Sequence, residues 1–193
     1  MEVVCAVEKI SERYLIPVLE QLIDEFPFTV KAIHSDNGSE YINRNVARLL
    51  QKLLIELTKS RSRHSNDNAL AESKNGSVVR KHLGYSHIPQ KYATKINAFY
   101  KEFFNYYINY HRPCFFPVII VDKKGKQRRT YPQDAIMTPY EKLKSLKNVK
   151  QYLKPGLTIK ELDTIAHSVT DMEAAKQMTN ARRELFKSIF DKK

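Results

Sequence analysis

The chain has 193 residues, 42% of them hydrophobic and 28% charged, which suits a soluble, ordered protein with one core and an extension. Its 33 Lys and Arg against 21 Asp and Glu give a net charge of +12. That excess fits a polyanion such as DNA, although ribosomal, RNA-binding and membrane-surface proteins share it. Two cysteines, Cys5 and Cys114, exclude a disulfide framework or a conventional metal cluster, and five glycines argue against glycine-rich nucleotide loops. No apolar run approaches a membrane span and no signal core follows the N-terminus, so the expectation is a cytoplasmic protein without a membrane partner.

In chain order, Val3-Val4-Cys5-Ala6-Val7 reads as a strand buried on both faces. Ser11 can cap the helix that follows, whose apolar face carries Tyr14, Leu15, Val18, Leu19, Leu22 and Ile23. Pro17 is awkward inside a helix, so regular winding is expected to begin near it. Thr29 to Ile33 reads as a β-branched strand, and Asn37-Gly38 is a turn signal just beyond. A helix is expected from Asn43 to Leu53, with Val46, Leu49, Leu50 and Leu53 inward, then a short strand over Leu54 to Thr58. The strand over Val3 to Val7, the helix after it and the strand over Thr29 to Ile33 give the strand, helix, strand order of an α/β unit.

Asp36 therefore stands at the carboxyl end of a strand, where ligands collect in open α/β sheets. Asn66, Asp67 and Asn68 can cap a helix continuing Ala69-Leu70-Ala71-Glu72, which puts Glu72 in or near its first turn. One carboxylate from a strand end and one from a helix can face the same space. Paired hard oxygen ligands suit Mg²⁺ or Mn²⁺ and phosphodiester chemistry. Taken singly, Asp36 is an ordinary turn residue and Glu72 an ordinary solvated helical acid.

The two motifs together carry more. His34-Ser35-Asp36-Asn37-Gly38-Ser39-Glu40-Tyr41 and Asn66-Asp67-Asn68-Ala69-Leu70-Ala71-Glu72-Ser73-Lys74-Asn75-Gly76 place 35 residues between Asp36 and Glu72. In these motifs and that spacing the chain resembles the Asp-Asp-Glu integrase core of bacterial insertion-sequence transposases and retroviral integrases, over most of its first 115 residues. The phrase Asn109-Tyr110-His111-Arg112-Pro113 is similar to one that closes such cores.

The resemblance implies an RNase H-like fold, a DNA substrate, Mg²⁺ or Mn²⁺ as cofactor, and Asp36 and Glu72 as catalytic metal ligands. It also implies a further Asp on the opening strand of the sheet, and no residue here matches it. Val3 to Val7 looks like the third strand of such a sheet, so the expectation is an integrase core lacking its first strands, a transposase fragment acting in DNA integration or transposition. The rival expectations are a catalytically inactive DNA-binding or interfering partner of a full-length transposase and a non-functional remnant; the partners expected are DNA and either a second copy of the chain or a full-length transposase.

Lys59, Arg61 and Arg63 lie in a serine-rich segment that resembles the mobile loop beside such active sites; as residues alone they are a cationic segment able to meet phosphates or an ordinary solvated loop. His34 and His64 lack the spacing of metal-ligand pairs. Lys74 and Asn75 follow Glu72 and are the candidates for DNA contact on that helix, unless its charged face is simply solvated. From Ile96 to Tyr110 the interleaved aromatics could stack on bases, but the helical spacing of Ile96, Phe99, Phe103 and Tyr107 says core.

A domain boundary is expected near Cys114, dividing the chain into a core over 1–114, a basic hairpin and short helix over 115–145, and a helical extension over 146–193. Phe115 to Val121 reads as a strand, and 122–130 as a turn carrying Lys123, Lys124, Lys126, Arg128 and Arg129, five cations in nine residues and a phosphate-binding element. Thr138 begins a short helix. Leu157 to Leu162 opens another, and Asp171 is expected to cap a longer one to Phe190, with Met172, Ala175, Met178, Leu185 and Ile189 apolar along it and no chemistry on either.

Overall fold

The computed structural model describes residues 1–35, 44–60 and 73–191. The protein is mixed α/β, and its strands pair two by two. It divides into two compact units, Val4–Asn97 and Met1–Val3 with Ala98–Lys193; Cys114, where a boundary was expected, lies inside the second.

In the first unit, helix α1 spans Glu12–Glu25. The Ser11 carbonyl accepts from the N–H groups of Tyr14 and Leu15, while its hydroxyl makes no capping bond. Winding begins at Glu12 and continues through Pro17, not near Pro17 as the sequence suggested. The ring points to water at an exposed position, so the helix loses one hydrogen bond without a clash in the core. Leu15, Leu19 and Ile23 recur every fourth residue and are buried with Val46, Leu50 and Ile55.

Strand β1, Ala32–Ser35, pairs in parallel with β2, Glu56–Lys59, and helix α2, Arg44–Lys52, lies between them in the chain. Parallel pairing demands a crossover connection, and α2 occupies it. Both strands sit later than the sequence predicts. After α2 the chain turns through Leu54, whose φ is 56° and whose N–H donates to the Gln51 carbonyl. Extended backbone cannot resume until that left-handed residue is passed. Val46 and Leu50 are buried on α2, whereas Leu53, expected inward, is 42% exposed.

Val3 to Val7 belongs to no sheet, which corrects the strand expected there. The segment satisfies its backbone on side chains instead. In this unit Ala6 donates to the Asn97 amide oxygen at 2.7 Å and its carbonyl accepts from the same amide at 2.9 Å. A side-chain amide thus imitates the pairing a strand would give. Helix α3 is π-wound over Asn75–Arg80 and α-wound over Lys81–Leu83, and ends at Gly84, whose φ of 76° costs glycine little.

Helix α4 runs over Ala93–Phe99, Tyr100–Phe104 and Asn105–Tyr110, and the division between the units falls within it. Its middle stretch has the wider π winding. Ile96 and Phe99 are buried as predicted, but below them the buried set is Tyr100, Phe104 and Ile108, with Phe103 and Tyr107 only half-buried. Each extra residue in a wide turn advances the inward face by one position. The aromatics pack on one another: Phe99 and Phe104 stack with centroids 5.8 Å apart, and Tyr100 and Phe104 are 5.5 Å apart.

The second unit repeats the amide clamp. Asn109 accepts from the Glu2 N–H at 2.7 Å and donates to the Glu2 and Asn105 carbonyls. Strands β3, Cys114–Phe115, and β6, Ile136–Met137, pair antiparallel, as do β4, Val118–Val121, and β5, Gln127–Thr130. Helices α5, Pro139–Lys144, and α6, Ile159–Ala166, each open with a capping box, Thr138 with Glu141 and Thr158 with Glu161. Helix α7, Asp171–Phe190, is capped by Thr170 and not by Asp171. The Asp171 carboxylate is taken up by His111 instead. Ala174, Met178, Leu185 and Ile189 are buried on α7, while Met172 is 83% exposed. Among the described residues no helix is long and apolar enough to cross a membrane.

Candidate functional site

Parallel pairing brings the carboxyl ends of β1 and β2 to one edge. Ser35 stands opposite Lys59, and the next residue, Ser60, donates from its N–H to the Ser35 carbonyl at 3.0 Å and from its hydroxyl to the same atom at 3.2 Å. The His34 ring bridges the strands: Nδ1 lies 2.9 Å from Thr58 Oγ1 and Nε2 lies 3.2 Å from Ser60 Oγ. This fixes the imidazole by hydroxyls, and not by ligands that would suit a metal. Strand β1 ends one residue before Asp36, and Lys59, exposed, closes β2.

Asp36, Glu72, Arg61 and Arg63 lie outside the described residues. Lys74, half-buried, directly precedes α3, and Asn75, exposed, opens it. Among the described residues no group of three His, Cys, Asp or Glu could hold a metal ion. Cys5 offers no reactive thiolate: burial, reinforced by the charge of Glu25, pushes its thiol up to about 11.

The comparisons with known proteins stop short of a family. No protein-family model matches the chain. Over 101 residues it is 32% identical to an uncharacterized protein, y4rM, of Sinorhizobium fredii. The match takes in 52% of this chain and 29% of that protein, so the chain spans well under half the length of its relative.

In the second unit the structure gathers five of the predicted DNA-binding cations on the β4–β5 hairpin. The tip is shorter than the sequence predicts, because Asp122 closes it. The Asp122 N–H donates to the Lys126 carbonyl, the Asp122 carbonyl accepts from Gly125, and the Asp122 carboxylate accepts from the N–H groups of Lys124 and Lys126. Gly125 supplies the left-handed residue, φ 77°. Lys123, Lys124 and Lys126 thus ride on the turn, while Arg128 and Arg129 stand in β5 and not in the turn. All five are exposed. The Arg128 guanidinium lies 4.0 Å from the Asp122 carboxylate, a distance at the limit of an ion pair.

The C-terminal helices also hold a polar cavity that the sequence did not announce. It has a volume of about 430 Å³ and is lined in part by Tyr110, Tyr140, Lys144, Asp163 and His167. Tyr140 donates to Asp163 Oδ1 at 2.8 Å and Lys144 to the same oxygen at 2.6 Å. Those two donors hold the Asp163 carboxyl below the usual carboxylate range, Lys144 contributing most. Burial and the bond to Asp163 push the Tyr140 phenol well above its ordinary value. The three groups satisfy one another and tie α5 to α6, which is a structural role. Helical periodicity showed Tyr140 and Asp163 only as members of separate helices, so their meeting left no signal in either.

Proposed function

We propose that this chain is of the RNase H-like, transposase or integrase type of polynucleotidyl transferase and binds DNA, with Asp36 and Glu72 as ligands for Mg²⁺ or Mn²⁺. The observation that carries the reading is the pair of motifs around Asp36 and Glu72 at their spacing. It is supported by the parallel β1–α2–β2 unit, whose first strand ends directly before Asp36. The carboxyl edge of a parallel pair is where an α/β protein holds reacting groups. The exposed cations of the hairpin and the net charge of +12 suit a phosphate backbone.

Asp36 and Glu72 would hold a divalent ion, which would supply Lewis-acid polarisation of the phosphodiester and of an attacking water or 3′ hydroxyl. This chain's residues contribute the two carboxylates and hold the duplex through Lys59, Arg61, Arg63, Lys74, Asn75 and the hairpin.

A second reading, a catalytically inactive DNA-binding or interfering partner of a full-length transposase, draws on the same exposed hairpin cations without the chemistry. Incubation of the folded chain with a labelled duplex and Mg²⁺ or Mn²⁺, beside Asp36→Ala and Glu72→Ala, separates the two. Cleavage that both substitutions abolish is the result expected of the transferase. Binding without cleavage moves the chain to the second reading, and failure to bind duplex at low salt contradicts both.

A further inference from the structure

The hairpin has a feature that phosphate binding alone leaves unexplained. Its non-basic strand is Val118-Ile119-Ile120-Val121, and these four side chains are 43%, 58%, 52% and 58% exposed. Leaving aliphatic side chains in water forgoes about 1.5 to 3 kcal/mol each relative to full burial. The register distributes them over both faces. Ile119 opposite Arg129 and Val121 opposite Gln127 share one face, and Val118 opposite Thr130 and Ile120 opposite Arg128 share the other. Each face therefore carries two aliphatic side chains and one arginine, and neither is covered.

We propose that the β4–β5 hairpin enters the major groove of duplex DNA as a two-stranded ribbon, β4 meeting base edges through its aliphatic side chains while Arg128, Arg129 and the tip lysines meet phosphates on the two groove walls. The proposal rests on the DNA-binding reading above.

Three observations carry it. A two-stranded β-ribbon is of a size that the major groove admits, and this one is bare on both faces, as a groove with two walls requires. Arg128 and Arg129 are consecutive and so point to opposite faces, one towards each wall. The charge is complementary to DNA: among the described residues Lys123, Lys124, Lys126 and Arg129 have no carboxylate partner, and the one acid of the tip, Asp122, accepts from two of the turn's own N–H groups at Oδ1 and leaves Oδ2 4.0 Å from Arg128. A second copy of the chain is the poorer occupant. Two identical ribbons packed face to face on a two-fold axis would bring arginine towards arginine, and the free edge of β4 is only four residues long.

The test uses the full chain and a short labelled duplex of mixed sequence, with affinity measured over a range of salt. Arg128→Ala with Arg129→Ala is expected to make the log–log salt slope shallower by about 2, one phosphate for each arginine. Ile119→Thr with Ile120→Thr keeps β-branched residues in the strand and is expected to weaken binding about tenfold with the slope unchanged, because apolar contacts release no counterions. Wild-type affinity in the Ile119/Ile120 variant overturns groove insertion. If sedimentation shows instead that this variant turns a wild-type dimer into a monomer, β4 is an interface between copies and the proposal falls. A wild-type chain that ignores duplex even at low salt overturns the DNA-binding reading itself, which the variants alone would not do.

Discussion

Between about 50 and 200 mM salt, duplex affinity is expected to fall by about three to five decades, the loss that six to ten phosphate contacts entail. The candidates number nine cations: Lys59, Arg61, Arg63 and Lys74 in the first unit and Lys123, Lys124, Lys126, Arg128 and Arg129 in the second. Fluorescence anisotropy at several salt concentrations gives the slope directly. A steep linear log–log plot places most of these side chains on phosphates together. A slope below about 2 would mean that only one small patch touches DNA, and would contradict a shared role for the two groups of cations.

The largest effect on stability is expected from Phe104→Ala. Phe104 is fully buried, and its ring packs on Phe99 and Tyr100. Truncating such a ring costs about 3 to 5 kcal/mol, from lost transfer energy and the cavity left behind. Against a usual total of about 5 to 15 kcal/mol this is a large share. Urea unfolding followed by circular dichroism should show the midpoint falling with the slope retained. Phe103→Ala is the control. Phe103 is half-buried, so its truncation should cost clearly less. Equal losses would contradict the π-wound register of α4, which turns Phe104 and not Phe103 inward.

That register shows where the sequence could and could not be read. Regular periodicity located α1, α2 and α4 because one face of each is apolar, and the threonine–glutamate pairs at Thr138 and Thr158 are local signals that capping boxes make legible. The wide turn in α4 has no such signal, since Phe103 and Phe104 are equally apolar and only the packing chooses between them. Val3 to Val7 has strand composition, but Ala6 within it bonds the Asn97 side chain, 91 positions away, and no local pattern carries that information. The hairpin was legible from its cations. Its true tip depended on Asp122 and Gly125, whose turn chemistry moves Arg128 and Arg129 from loop to strand.

The candidate site divides in the same way. The parallel pair ending at Ser35 and Lys59 follows the separate elements read over 29–33, 43–53 and 54–58, shifted by a few residues, whereas the α/β unit expected from Val3 to Ile33 lacks its first strand. The roles proposed for Asp36 and Glu72 rest on their motifs and spacing. His34, just before Asp36 in sequence, is drawn into cross-strand hydrogen bonds with Thr58 and Ser60, a use that residue type alone does not disclose.

Binding of Mn²⁺ to the DNA-bound chain, followed by the electron paramagnetic resonance of the free ion, tests the central claim most directly. Asp36→Ala and Glu72→Ala are each expected to weaken Mn²⁺ binding at least about tenfold while duplex affinity at fixed salt holds, since loss of a direct carboxylate ligand costs no less than loss of a group that merely orients one. Mn²⁺ binding unchanged in both variants would contradict Asp36 and Glu72 as a shared metal site.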